Sequence, residues 1–145
     1  AYMLDGDKLR RGLCGDLGFS DDDRIENIRR AAEVAGLFRD AGLVTLCTFI
    51  SPFAAGRAEA RRIADGRFLE VWVRAGLETC KARDPKKLYQ KALEGKIRSF
   101  TGIDSPYEEP TDAELVLDTE VLSEEECVNR LTDAIFDYLE GGDTL

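Results

Sequence analysis

Two aspartates near the start of this 145-residue chain carry its most pointed chemistry. Leu4-Asp5-Gly6-Asp7 sets a carboxylate on each side of a glycine, after the apolar residues of a short strand, Ala1 to Leu4, and before a basic helical turn, Lys8 to Leu13. Open α/β sheets bind ligands outside the carboxyl ends of their strands, so paired aspartates at this point suit a magnesium-phosphate site or the activation of a hydroxyl. Later strand ends are also polar: Ser51-Pro52, Arg74-Ala75 and Asp118-Thr119. Any α/β fold puts polar loop residues there, so the pattern alone does not mark a site. Arg10, Arg24, Asn27 and the Lys86/Lys87 pair add the cations and donors that a phosphorylated ligand requires. Arg29 and Arg30 are read as a solvated helix face.

The elements that position these residues follow from periodicity. Ile25, Ile28, Ala32, Ala35 and Phe38 recur at helical spacing after Asp21-Asp22-Asp23, and Gly42 stops that helix, whose exposed flank is expected to carry Arg24, Arg29 and Arg30. Leu43 to Ile50 is a continuous β-prone run, the pattern of a parallel strand buried on both faces. A helix from about Gly56 to Ala64, a strand from Phe68 to Val73 and a short helix from Gly76 to Arg83 come next. Asp84-Pro85 closes that helix, because a residue before proline disfavours helical geometry. The basic stretch Lys86 to Glu94 is expected to be helical up to Gly95, and Leu115 to Leu117 forms a last strand. Ser123-Glu124-Glu125-Glu126 fits a capping box, and Val128, Leu131, Ile135 and Leu139 are expected to form the buried stripe of a final helix ending at Gly141-Gly142. Alternating strands and helices predict one layered α/β domain over 1–145 with a mainly parallel sheet.

Composition narrows the partners. A net charge of −9 argues against nucleic acid, whose phosphates demand a basic surface. The bases are segregated: Lys81, Arg83, Lys86, Lys87, Lys91, Lys96 and Arg98 crowd one segment, a candidate anion-handling lid at about 84–100. The four cysteines are dispersed and there is no histidine, which excludes the usual zinc sites and histidine-dependent triads and favours reduced thiols in the cytoplasm. No apolar stretch reaches transmembrane length, so no membrane association is expected.

Taken in order, Leu4-Asp5-Gly6-Asp7, Leu9-Arg10, Gly12-Leu13, Asp16-Leu17-Gly18-Phe19-Ser20, Arg24, Glu26-Asn27-Ile28-Arg29-Arg30, Phe49-Ile50-Ser51-Pro52-Phe53, Arg83-Asp84-Pro85-Lys86, Leu88-Tyr89 and Phe100-Thr101-Gly102-Ile103-Asp104-Ser105-Pro106-Tyr107 resemble adenylylsulfate kinase (APS kinase) over essentially the whole chain. The resemblance implies a three-layer P-loop-kinase-like fold. It also implies transfer of the γ-phosphate of MgATP to the ribose 3′-hydroxyl of adenosine 5′-phosphosulfate (APS), making PAPS for sulfate assimilation. By that resemblance Asp7 accepts the hydroxyl proton and Asp5 orients Mg2+ directly or through water, an assignment that is reversible between the two. Asp7, Lys8, Leu9, Arg10, Phe19, Arg24, Asn27, Ile50, Ser51, Lys86, Ser99 and Phe100 fall on APS-binding positions, with Phe19 and Phe100 sandwiching the adenine. Ser51 is described as a phosphoserine in some bacterial members, but in-line transfer needs no such step, and Ser51 is read as positional. Arg83, Leu122 and Cys127 fall near the donor adenine, whereas Trp72, Leu88 and Tyr89 are read as packing residues. The resemblance also admits a homodimer and fusion to, or association with, ATP sulfurylase.

Two positions depart from the family pattern. Lys8 stands where asparagine is common. More consequentially, no Gly-x-x-x-x-Gly-Lys-Ser/Thr loop occurs: Gly-Lys is found only at Gly95-Lys96, followed by Ile97. That loop supplies the amides, lysine and hydroxyl that cradle donor phosphates. The expectation is a kinase core in which the first strand, P-loop and first helix are absent from these residues, with little turnover by the chain as given. The alternatives are a non-catalytic APS- or PAPS-binding module and, less favoured by the residues, a structural partner docking through a sheet edge.

Overall fold

A computed structural model describes residues 1–141, so the expected helix stop at Gly142 lies outside the described residues. Contacts divide the described residues into two compact units, one of residues 1–68 with 104–109, the other of residues 69–103 with 110–141. Each is α/β and each is built around one parallel strand pair.

In the first unit, β1 (Tyr2–Asp5) pairs with β2 (Thr45–Thr48) in a register that sets Leu4 beside Cys47 and Asp5 beside Thr48. The crossover carries α1 (Gly6–Arg10) and α2 (Asp21–Asp40), and α3 (Ala54–Ile63) follows β2. Ser20 begins α2 as its N-cap, accepting from the Asp23 amide. At the other end Gly42, at φ +79°, adopts the left-handed conformation that closes the helix. The Gly42 and Leu43 amides donate to Arg39 and Phe38 carbonyls, the paired bonds of a Schellman motif. Helix α2 packs on α3 with Ile28, Ala31 and Ala60 buried and the Ile28 side chain lying against Gly56. The Arg39 guanidinium donates to the Ala64 carbonyl at 2.9 Å, and the Tyr2 and Phe38 rings meet at 4.6 Å.

In the second unit, β3 (Val71–Arg74) pairs with β4 (Leu115–Asp118), setting Arg74 beside Asp118. Helices α4 (Leu77–Arg83) and α5 (Leu88–Leu93) lie between the two strands in sequence, and α6 (Glu124–Gly141) packs on β4. The capping box forms as expected: the Ser123 amide donates to Glu126 at 2.8 Å, and the Glu126 amide donates to the Ser123 hydroxyl at 3.2 Å.

Burial departs from the periodic reading in three places. Thr45 is partly exposed and Leu46, Cys47 and Thr48 are exposed, because β2 pairs with β1 in a two-stranded sheet and has no second strand neighbour among the described residues. The stripe expected on α6 is not a buried one, with Val128 55% and Leu139 50% exposed and no residue of the helix fully buried. Conversely, Arg24, expected on an exposed flank, is 9% exposed. No described helix is long and apolar enough to cross a membrane.

Candidate active site

The carboxyl ends of the adjacent strands β1 and β2 bring Asp5, Asp7, Ile50 and Ser51 to one sheet edge. Asp5 caps α1, its Oδ1 accepting from the Lys8 amide at 2.9 Å. Gly6 lets the chain pass from β1 into α1 close to Phe49, since a Cβ there would stand 3.1 Å from that ring and require it to shift. Asp7 and Lys8 are exposed on the first turn of α1, and Leu9 is partly buried. Lys8 reaches back to the Tyr2 hydroxyl at 3.3 Å rather than outward. Ile50 is exposed, and Ser51 is held at φ +43°, an uncommon conformation for serine that fits a functional constraint. The Arg57 guanidinium fixes that turn by donating to the Ser51 carbonyl at 2.8 Å. Residues 104–109 fold back onto the same region: the Glu108 amide donates to the Pro52 carbonyl, and its carboxylate accepts from the Ala54 amide at the start of α3.

Beside this edge α1, the following loop and α2 assemble two arginines around an aromatic ring. Arg10 donates to the Gly18 carbonyl at 2.8 Å and its guanidinium lies 4.4 Å from the Phe19 ring centre. Arg24 donates to the Phe19 carbonyl at 3.1 Å and lies 5.6 Å from the same ring. Phe19 nevertheless remains 55% exposed. Burial, reinforced by the nearby Arg10 charge, pushes the Arg24 guanidinium below its ordinary pKa. One helical turn beyond Arg24, Asn27 is 5% exposed and its Oδ1 has no hydrogen-bond partner. A buried carbonyl oxygen without a donor is costly, and a ligand hydroxyl or amine would satisfy it. An open aromatic face at the surface, the Arg10 guanidinium beside it and, buried beneath, Arg24 and the unsatisfied Asn27 acceptor form a combination suited to a planar, anionic, hydroxyl-bearing molecule that reaches into the site.

Arg30 corrects the reading of a solvated helix face. Its guanidinium donates to both Asp16 oxygens at 2.6 and 2.9 Å, to the Leu13 carbonyl at 3.0 Å and to Glu26 at 2.8 Å. Arg29 and Arg30 together hold the Glu26 carboxyl at about 2, well below its ordinary value of 4.5. Arg29 keeps the surface role expected of it, pairing with Glu26 and Glu33 along α2. Arg30's distant partners were invisible to helical periodicity, although the spacing of Glu26 and Arg30 marks one of its bonds.

Lys86, Ser99, Phe100, Arg83, Leu122 and Cys127 belong to the second unit. Phe100 meets Tyr89 edge-on at 4.9 Å, and Ser99 is held at φ +55°. Asp84, read from the sequence as a helix stop and as part of the Arg83-Asp84-Pro85-Lys86 motif, accepts from the amides of Leu88, Tyr89 and Gln90. These bonds outweigh the desolvation of its carboxylate and lower its pKa. Asp84 thereby organises the turn that carries Lys86 and the left-handed Lys87, at φ +52°. Arg83 donates to the Thr119 hydroxyl at 2.8 Å and to the Thr119 carbonyl at 2.7 Å. Leu122 follows on the turn after β4, its amide donating to Asp118, and Cys127 lies near the start of α6. The strand-end Thr119 thus gains its role from a distant arginine, whereas Asp84 acts locally on the amides that follow it.

Among the described residues no group of three or more histidine, cysteine or acidic side chains is placed to hold a metal by itself. Asp5, partly exposed at the strand end, fits the single-carboxylate contribution by which Mg2+ is commonly held alongside substrate phosphates and water.

Comparison with known proteins gives one answer. Residues 1–118 match the adenylylsulphate kinase family. The chain is 56% identical over 131 residues to an adenylyl-sulfate kinase of Marinobacter nauticus, and 58% identical over 132 residues to a probable adenylyl-sulfate kinase of Halalkalibacterium halodurans. Each alignment takes in 90% of this chain, which spans 66% and 65% of the lengths of those relatives. The fold superposes on the Mycobacterium tuberculosis APS kinase CysC, solved in complex with AMPPNP and APS, with a TM-score of 0.84 and 45% identity, covering 97% of this chain and 80% of that one. With its parallel strand pairs, acidic strand end and arginine-flanked aromatic ring, the chain belongs to the adenylylsulphate kinase family and has that family's α/β P-loop-kinase-like fold.

Proposed function

We propose that these residues form the acceptor side of an APS kinase. The observation that carries the reading is the exposed Phe19 ring flanked by the guanidinium groups of Arg10 and Arg24, one turn from the unsatisfied Asn27 carbonyl. An adenine stacks on such a ring, the two cations attract a phosphosulfate, and an acceptor such as Asn27 suits a ribose hydroxyl or the adenine amine. That APS occupies the related M. tuberculosis enzyme supports the choice of ligand.

In the proposed reaction the 3′-hydroxyl oxygen of APS forms a bond to the γ-phosphorus of ATP as the bond from that phosphorus to the β,γ-bridging oxygen breaks, releasing ADP. Asp7 receives the hydroxyl proton, and Asp5 orients Mg2+. When bound, Mg2+ neutralises charge on the donor phosphates. Ser51 holds the turn after β2 rather than carrying phosphate. Lys86, Ser99 and Phe100 are assigned to APS, and Arg83, Leu122 and Cys127 to the ATP side. Four free cysteines support a reducing, cytoplasmic setting.

The 145 residues contain no Gly-x-x-x-x-Gly-Lys-Ser/Thr loop, so the chain as given is expected to bind APS with negligible turnover. Calorimetric titration with APS, followed by an assay of PAPS formation with MgATP, tests both halves. Absence of APS binding sinks the site assignment; rapid PAPS formation by this exact chain sinks the claim that the loop is essential. The coding sequence upstream separates a kinase from the alternative, a non-catalytic APS-binding module, according to whether it carries that loop in frame.

A further inference from the structure

Arg30 reaches the acceptor loop from α2, as Arg24 does, but through a fork on the Asp16 carboxylate and a bond to the Leu13 carbonyl. The loop between α1 and α2 is short of regular structure, yet it must hold Phe19 in place with its ring open to solvent. Local bonds give it some order: the Cys14 amide donates to Leu9, Gly15 to Gly12 and Leu17 to Cys14, with Cys14 fully buried beneath. Arg10 and Arg24 donate to the Gly18 and Phe19 carbonyls, but these are the arginines expected to turn toward an anion. Arg30 is differently placed. Its guanidinium engages two carboxylates and a carbonyl, so its charge is already matched and its donors are directed at protein.

We propose that Arg30 is a positioning residue for the acceptor site: its fork on Asp16 and Leu13 locks the loop to α2 and so fixes Phe19 and Arg10 for ligand. The inference rests on the APS reading for its ligand, though not for the lock itself. Planar bidentate geometry explains why arginine serves here, since a lysine retains charge but cannot span both Asp16 oxygens. The lock limits the loop conformations available before binding, and such preorganisation appears as affinity.

The test uses the whole chain with Arg30→Lys, Asp16→Asn and the double variant, measuring APS affinity by calorimetry, amide hydrogen exchange over residues 13–20, and thermal midpoint. Asp16→Asn leaves the helix untouched and keeps the question open to measurement if Arg30→Lys folds poorly. Each single variant is expected to weaken APS binding by about threefold to tenfold, and the double variant by no more than the larger single effect, as for two ends of one link. Exchange should accelerate at 14, 15 and 17 with the thermal midpoint little changed. Unchanged APS affinity in both single variants, or losses that simply multiply, overturns the positioning role. Should the unaltered chain fail to bind APS, the ligand reading falls by itself; accelerated exchange in the variants then still supports the lock, and unchanged exchange overturns it.

Discussion

Arg10 lies over the Phe19 ring at 4.4 Å while its Nη1 donates to the Gly18 carbonyl at 2.8 Å, so one guanidinium both shapes the loop and supports the aromatic face. Phe19 is exposed, and its removal should leave the core intact. Phe19→Ala is therefore expected to lower APS affinity by about tenfold, the scale of base stacking on an aromatic side chain, with little change in thermal midpoint. Titration with APS and a melting curve check both. An unchanged affinity would remove Phe19 from the adenine site.

The two aspartates should separate by substitution. In a protein that carries the donor-phosphate loop, Asp7→Asn is expected to lower kcat by about 10²- to 10⁴-fold, the range for loss of general-base help. Because asparagine also caps helices, Asp5→Asn should retain α1 and change mainly the Mg2+ dependence of turnover, whereas Asp5→Ala also loses the cap, at about 1 kcal/mol. Steady-state kinetics over a Mg2+ series distinguish these outcomes. Full turnover in Asp7→Asn would transfer the base role elsewhere.

Arg83 binds both polar oxygens of Thr119 beyond the end of β4. Thr119→Val deletes the hydroxyl acceptor while keeping volume and branching, and Arg83→Ala removes the donor. In a protein that carries the donor-phosphate loop, both are expected to raise KM for ATP by about threefold to tenfold with KM for APS little altered, consistent with a lost charged hydrogen bond. A rise in KM for APS alone would place Arg83 on the acceptor side.

Asp84 accepts three successive amides at the start of α5. Asp84→Ala should increase hydrogen exchange at Leu88, Tyr89 and Gln90 while leaving α2 protected. Its carboxyl pKa is lowered from 3.8 in the folded chain, so its stabilising contribution is complete above that value and is lost as pH falls through the lower folded value. Exchange at those amides that is equal in variant and parent at neutral pH would contradict this role.

The Glu26 network has its own acid dependence. Folding lowers the Glu26 carboxyl from 4.5 to about 2, so the unfolded chain takes up its proton first as the solution is acidified. Stabilisation from its bonds to Arg29 and Arg30 is fully present above 4.5 and disappears as pH falls toward 2. The difference in thermal midpoint between the parent and Glu26→Gln should accordingly be constant near neutrality and shrink through that acidic window. A difference independent of pH would show that the ionised carboxylate is not responsible.

What was legible in the residues is what short-range physics controls. The Gly42 stop ends α2, the Ser123-Glu126 box starts α6, and Asp5-Gly6-Asp7 stands at a strand's carboxyl end, because each depends on neighbours within a few positions. The order of motifs likewise disclosed the family. Tertiary structure decided which cations are exposed and what they bind: Arg24 is buried, Arg30 grips Asp16, and Arg83 meets Thr119 across 36 positions. It also left β2 and the α6 stripe accessible where periodicity alone implied a core. Periodicity reports which face of an element is apolar, but burial requires a second surface to cover that face, and a guanidinium's role depends on which distant carboxylate or carbonyl the fold brings within about 3 Å of it.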